Sequence, residues 1–353
     1  MNAPLNMTVT ASLVDLSDDR LARRIEEFVS EERGSLFHLP QWLKAAERAS
    51  GHRASGFITE QMGAITGWVP LTEVRSLLFG QALVSSGFGV GGGILAESDD
   101  AARVLARAVE NYAQIYGFAS AEMRGGPVPP GWKAVSDKHC GFARDLAQDD
   151  EAELLAIPRK ARAEVRKGLK NGLEVRIGRS SQDIAAHFAV YSESVRNLGT
   201  PVFPKRLFRA MLDAFPESSD ILTVVQDGVP ISSVLSFYHN GAVLPFWGGG
   251  KHCSRDARAN ELMYYELMLH ARRMGMSSFD FGRSKTDSGP YRFKKNWGFD
   301  PEPLTYSTWT APGEEARDID PTSDAYASKI AVWKKLPLAV ANRLGPLIAR
   351  DLA

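Results

Sequence analysis

The strongest constraint on this chain is that one succession of elements is written into it twice. In the first copy, GFITE (56–60) and ITGWVPL (65–71) read as hairpin strands joined at Gly63, followed by RSLLFG (75–80) and QALVSSG (81–87). The Gly-rich GVGGGILA comes next. A helix over 99–117 then places Val104, Leu105, Ala108, Val109, Tyr112 and Ile115 on one face, and FASAEMRGG (118–126) closes the copy as a strand. In the second copy, ILTVVQDG (221–228) and PISSVLSFYHN (230–240) form the hairpin, AVLPFW (242–247) runs into Gly248-Gly249-Gly250, a helix covers 258–274, and SSFDFG (277–282) closes. Gly93 precedes Glu122 by 29 positions and Gly250 precedes Asp280 by 30. The closing pieces align as GFASAEMRG (117–125) and GMSSFDFGR (275–283). Two copies predict duplicated α/β domains rather than a solenoid. At ~150 residues per domain, 353 residues accommodate two. We expect mixed α/β domains over 1–150 and 151–312, with a tail over 313–353 of amphipathic helical segments. A short lead and first strand are expected over 1–18, helices over 19–30, 182–197 and 204–215, a turn into another helix over 35–50, and further strands over 141–147 and 173–177.

Several function classes are excluded on composition and spacing. A 44% hydrophobic content supports a packed core, and 24% charge is too little for disorder. Lys and Arg number 42 and so do Asp and Glu, which argues against a dedicated duplex-DNA binder. Cys140 and Cys253 are too few and too far apart for a disulfide framework or a metal site. The seven histidines have no H-x-x-x-H or H-E-x-x-H spacing, so no metal is expected. There is no G-x-S-x-G elbow. Neither Gly triplet opens into a helix with dinucleotide or P-loop spacing, which leaves tight turns or close backbone approach as the glycine roles. The opening MNAPLNMTVTASLVDLSDD lacks the charge and apolar run of a secretory signal, and no apolar stretch nears the ~20 residues that span a bilayer. The expected location is the cytoplasm.

Reactive side chains concentrate in FDFGRSKTDSGPYRFKKNWGF (279–299). A strand presents Asp280, a turn carries Arg283 and Lys285, and a short helical segment presents Tyr291, Lys294 and Trp297. Ligands of α/β proteins sit at such strand ends. Acyl transfer develops an oxyanion, which a fixed cation such as Lys294 stabilises. Asp280 could accept a proton or orient a cation; the alternative is a structural pair with Arg283. Arg283 and Lys285 suit a phosphate or carboxylate. Tyr291 and Trp297 suit a pocket wall, or the core. Tyr238, Trp247 and Asn260 are weaker binding candidates, Asn260 being explicable as a helix cap.

The string D-F-G-R-S…Y-x-F-K-K-x-W-G-F, preceded by LPFWGGG and ANELMYYELM, resembles the FemAB-like branch of the GNAT acyltransferase superfamily. VRNLGTPVFPKRLF (195–208) and the Trp-Lys-Lys-Leu-Pro tail resemble FemAB-related proteins found with exosortase/PEP-CTERM and exopolysaccharide systems. The likeness is strongest over 159–306. It implies tandem GNAT-like domains and transfer of an amino acid from aminoacyl-tRNA to an amine of a peptidoglycan precursor, with Lys294 matching the lysine important for transfer. Two departures stand out. No coiled-coil arm is inserted, and the R/Q-x-x-G-x-G/A loop that holds the CoA pyrophosphate is missing. The donor therefore stays open between aminoacyl-tRNA and acyl-CoA, with no tightly bound cofactor expected. The acceptor stays open among small-molecule, glycan and peptide precursors. A CelD-like CoA-dependent acetyltransferase and a non-catalytic GNAT scaffold are the alternatives.

Two segments remain. RKARAEVRKGLKNG carries Arg159, Lys160, Arg162, Arg166, Lys167 and Lys170 against Glu164, a density that suits donor phosphates, tRNA included, or a solvated helix face. KIAVWKKLPLAVANRLGPLIARDL is apolar and basic, a candidate for lying on an anionic membrane surface or for docking on its own protein. Pro337 and Pro346 are expected to break it into pieces.

Overall fold

A computed structural model describes residues 9–317 and 324–352. The lead expected before the first strand, and the part of the tail over 318–323, lie outside the described residues. The chain begins β1 (Thr10–Leu13), α1 (Asp19–Glu31), α2 (Pro40–Ser50), β2 (Arg53–Gln61), β3 (Ala64–Ser76), β4 (Gly80–Val84), β5 (Leu95–Ala96), α3 (Asp99–Tyr116) and β6 (Ser120–Arg124). It continues through β7 (Lys133–Gly141), β8 (Ala143–Asp145), α4 (Asp150–Ala156), α5 (Arg159–Lys170), β9 (Glu174–Gly178), α6 (Ser181–Leu198), α7 (Lys205–Ala214), β10 (Ser219–Gln226), β11 (Val229–His239) and β12 (Ala242–Gly250). It ends with α8 (Ser254–Ala257), α9 (Ala259–Arg273), β13 (Ser278–Asp280), β14 (Ser284–Lys285), α10 (Gly289–Asn296), β15 (Glu302–Thr310), α11 (Asp324–Trp333) and α12 (Leu338–Ala349).

Helix ends follow local chemistry. The Ser98 hydroxyl accepts the Ala101 N–H to start α3, and Gly117 at φ 71° ends it. A reciprocal Ser180–Asp183 capping box starts α6. Asn260 caps nothing: Arg258, with φ 57°, occupies the N-cap of α9 without a side-chain bond. The Asn260 side-chain oxygen Oδ1 instead accepts the Ser232 hydroxyl on β11 at 2.6 Å.

The chain divides into two compact units, and neither is continuous in sequence. Unit 1 comprises 1–136, 305–319 and 351–353, and unit 2 comprises 137–304 and 320–350. The sequence boundaries at 150 and 312 differ because β15 returns to unit 1, where Tyr306–Thr310 pair antiparallel with β6. The sheet of unit 1 runs β1-β2-β3-β4-β6-β15, with β5 on β3. All its pairs are antiparallel except β4 with β6. Successive residues feed opposite faces. Phe57 and Val69 pack with Leu105, Val109 and Tyr112 of α3, while their neighbours Ile58 and Trp68 pack with Ile25 and Phe28 of α1 and Leu43 of α2.

The sheet of unit 2 runs β8-β13-β12-β11-β10-β9. Leu222, Val224 and Val234 join Leu262, Met263 and Leu267 of α9 in one core. Trp247 is buried on the other side, in an aromatic cluster with Phe208 of α7 and Phe237 of β11. In the tail, Pro337 is the N-cap of α12, but Pro346 lies inside that helix rather than breaking it.

Candidate functional site

In unit 2, β12 and β13 run parallel, yet they pair at only two positions, Ala242 with Ser278 and Val243 with Phe279. On its other edge β12 stays paired with β11 as far as Gly250, with a bulge at Phe246. Past Val243, therefore, no described strand pairs with the β13 side of β12. The two strands diverge, and β13 gives way to the turn Phe281–Arg283.

The Gly triplet forms one wall of this gap, and each glycine has a steric reason. A Cβ on Gly248 would stand 2.9 Å from Val234 and 3.5 Å from the Tyr264 hydroxyl. A Cβ on Gly249 would collide with Ser194 of α6, and one on Gly250 with Asn260 and Ser254. The triplet is thus a stretch of backbone closely approached by side chains.

Asn260 and Tyr264, four residues apart on α9, lie along that backbone. The Tyr264 ring reaches across to the other wall, meeting Phe281 edge-on at 4.8 Å and Phe293 at 5.8 Å. Its hydroxyl has no hydrogen-bond partner among the described residues, and neither has the Asn260 amide nitrogen. Burial, with a smaller effect from Glu261, pushes the Tyr264 hydroxyl up to about 12. The two residues supply unspent donors at the gap. Tyr264 was not singled out in the sequence, because in LMYYELM it looks like one more core residue of α9.

The opposite wall is held by Lys294. Its side chain is 8% exposed, and its Nζ donates to the carbonyls of Phe281 at 2.7 Å and of Gly282 and Arg283 at 3.1 Å each. An ammonium has three donors, so all are engaged. The rings of Phe142 and Phe281 lie 5.3 and 5.7 Å from Nζ. Burial pulls Lys294 down to about 8, while nearby Asp280 opposes the shift and Arg283 adds to it. Asp280 accepts the Gly282 N–H at 2.8 Å, and burial raises its carboxyl above the usual range. Lys294 and Asp280 thus brace one turn from both ends, and Lys294 reaches a reacting atom only by releasing a carbonyl.

The other sequence candidates distribute unevenly. Arg283 and Lys285 are half-buried on the turn and on β14, which pairs with β7. Tyr291 packs edge-on against Phe142 at 5.4 Å. Trp297 is 1% exposed, packed with Phe281, Phe293 and Tyr264, which places it behind the wall rather than on it. Trp247 lies in the aromatic core described above. Buried Tyr238 donates to buried Asp220 at 2.9 Å, and Asp220 also bonds half-buried His270 at 2.8 Å, at the paired end of the strands. On α5, Arg159, Lys160, Arg166 and Lys170 are exposed with no ion pair among the described residues. Lys167 pairs with Glu164 at 2.7 Å, and Arg162 donates to the Leu155 carbonyl at 3.2 Å. Among the described residues no group of three or more His, Cys, Asp or Glu could hold a metal ion.

The same position in unit 1 is filled. β4 pairs with β6 from Ala82–Ser120 to Val84–Glu122, and Ser85 donates onward to the Glu122 carbonyl at 2.9 Å. Buried Arg124 binds Glu122 at 2.7 Å and the Gly89 carbonyl at 2.7 Å. The Gly93 N–H donates to the Arg124 carbonyl, and a Cβ on Gly93 would run into the Gly125 backbone. The glycine-rich loop of the first copy therefore plugs its own strand end.

With this geometry in hand, likeness to known proteins is informative. Residues 158–295 match the family model of an acetyltransferase (GNAT) domain. The fold of the chain is tandem GNAT-like. FemX superposes with a TM-score of 0.67 at 14% identity, covering 84% of this chain and 96% of FemX. A tandem GNAT protein from the clavulanic acid biosynthesis pathway gives 0.58 at 11% identity, covering 87% of this chain and 100% of that one. The C-terminal domain of a putative lysylphosphatidylglycerol synthetase from Agrobacterium fabrum gives 0.56 at 14%, covering 84% and 94%. At such identities these likenesses establish the fold. No curated protein matches the sequence significantly.

Proposed function

We propose that this tandem GNAT-like protein is an acyltransferase whose reaction takes place in the gap between β12 and the Phe281–Arg283 turn. The observation that carries the reading is the contrast between that open gap and the plugged equivalent in unit 1. An acyl group laid along the free side of β12 would have Tyr264 and Asn260 beside it. The braced turn opposite would carry the positive field of Lys294 towards a developing oxyanion. Lys294 is then a positioning residue, and Tyr264 is the hydroxyl poised to donate to the reacting centre. Arg283, Lys285 and Tyr291 lie on the turn and the elements that follow it, where they suit an anionic, cell-envelope or exopolysaccharide-related acceptor.

One feature favours an aminoacyl-tRNA donor over CoA. Where a CoA-binding loop would offer backbone N–H groups to the pyrophosphate, the loop after β12 folds into the short α8. Its His252 N–H is occupied by the Glu193 carboxylate at 3.1 Å. A carboxylate there repels phosphate. The unpaired cations of α5 suit a polyanionic donor.

The test is a pair of titrations of purified protein with charged tRNA and with acetyl-CoA, followed by loss of the acyl group to amine acceptors. Salt-sensitive tRNA binding with transfer supports the reading, and acetyl-CoA binding moves the protein to the CoA-dependent alternative. If neither donor binds, both donor assignments are refuted, and a non-catalytic scaffold or another acyl donor takes their place.

A further inference from the structure

The helix α12 packs itself in an unusual way. A helix that only docks turns its large apolar residues inward. Here the docked face is made of small ones: Ala341, Gly345 and Ala349 are buried, and α12 lies against α6. The approach is close, since a Cβ on Gly345 would stand 2.9 Å from the Val202 backbone nitrogen. The Asn342 amide donates to Ser192 of α6 at 3.3 Å, which fixes the rotation of the helix. Leu338 and Ile348 are half-buried, while three large residues are left outside, Val340, Leu344 and Leu347 at 41%, 43% and 60% exposed. Their spacing of four and three puts them in one stripe along the solvent side.

Charge accompanies the stripe. Arg343 flanks it on α12, Arg350 follows the helix, and Lys334 and Lys335 sit just before it, all exposed. From Lys329 to Arg350 inclusive there are five basic residues and no acidic one. The segment before α12 is pinned, because Arg196 of α6 donates to the Leu336 carbonyl at 3.1 Å. The cations and the apolar stripe are therefore held on one ordered surface.

We propose that this surface of α12 binds the anionic face of a lipid bilayer, with Val340, Leu344 and Leu347 entering the acyl boundary and Lys334, Lys335 and Arg343 meeting lipid phosphates. The helix is amphipathic twice over, with small residues for the protein and large ones for the lipid. Insertion of such a face reaches roughly 5–10 Å, and the cations add electrostatic attraction. No described helix is long and apolar enough to cross a membrane, so this contact lies in the interface plane. The inference stands independently of acyl transfer.

Full-length protein is sedimented with vesicles of phosphatidylcholine alone and of phosphatidylcholine mixed with phosphatidylglycerol, at low and high salt. Binding is expected only to the anionic vesicles and is expected to weaken steeply with salt. Replacing the cations together (Lys334→Gln, Lys335→Gln, Arg343→Gln) should weaken it roughly a hundredfold. Leu344→Ser with Leu347→Ser should weaken it as well, with circular dichroism and melting unchanged because these side chains are exposed. Absence of wild-type binding to anionic vesicles overturns the proposal, as does binding indifferent to both sets of substitutions. Concentration-dependent dimerisation that Leu344→Ser abolishes, without vesicle binding, also overturns it and assigns the stripe to a second copy.

Discussion

The two repeats of this protein share a plan and differ in what they do with one strand end. In both, a long helix connects two parallel strands, and the second strand carries a carboxylate, Glu122 or Asp280. In unit 1 the ladder continues to the carboxylate, and Arg124 fills what is left. In unit 2 the ladder stops after two pairs, and the cation that answers the carboxylate, Lys294, comes from a following helix. Arg124 is spent on its own strand and loop, whereas Lys294 is spent on the carbonyls of the Phe281–Arg283 turn. Duplication provides two frames, and the two differ in how far the parallel ladder runs and in where the answering cation is anchored. A cleft does open in unit 1 near Glu122, Arg124 and Arg317, but at about 50 Å³ it holds a few waters rather than a substrate.

The largest effect expected from this contrast is at Lys294. Lys294→Ala leaves three buried carbonyls unanswered and should lower turnover about 100- to 1000-fold, read with whichever donor is accepted. Arg124→Met is the opposing case. It should cost about 1–3 kcal/mol of stability in denaturant unfolding while turnover stays near wild type. A collapse of turnover in folded Arg124→Met would end the distinction between the repeats.

Lys294 also gives a pH signature. Its folded-state value is about 8, below the ordinary 10.5, so between these pH values the folded protein has released a proton that the unfolded chain keeps. Burial of the charge opposes folding below about pH 8, and that penalty is relieved as pH rises towards 10.5. Turnover, which needs the charge, should instead fall as pH rises past about 8. Lys294→Arg stays charged, so a profile without that descending limb is expected; an unchanged limb would assign it to another group. Tyr264→Phe should reduce turnover about tenfold with melting unaltered, since its hydroxyl bonds nothing in the described protein. The smallest effects belong to α5: neutralising Arg159, Lys160 or Arg166 singly should weaken donor binding two- to fivefold, more at low salt.

Much of this was legible in the sequence because periodicity and glycine placement are local. The hairpins, the long helices and the repeat needed no tertiary knowledge. β7 was missed because KAVSDKHCG is largely exposed and shows no apolar alternation. β15 was missed because its partner β6 lies far back in the chain. The site was legible as a string of residue types but not as directions. Lys294 and Trp297 are three residues apart on neighbouring turns, yet one braces the wall and the other is sealed behind it. Asn260 looked like a cap because caps are a local habit, while Ser232, its partner, is 28 positions away.

The return of β15 to the first unit has a consequence for biosynthesis. The edge of β6 that pairs with Tyr306–Thr310 stays bare until the ribosome has made almost all of unit 2. The nascent first half must wait with an open strand edge, the kind of surface that recruits stray strands and chaperones. A chain cut near residue 150 should then aggregate, although it contains the whole first copy of the repeat. Supplying the missing strand in trans as a peptide should restore its solubility.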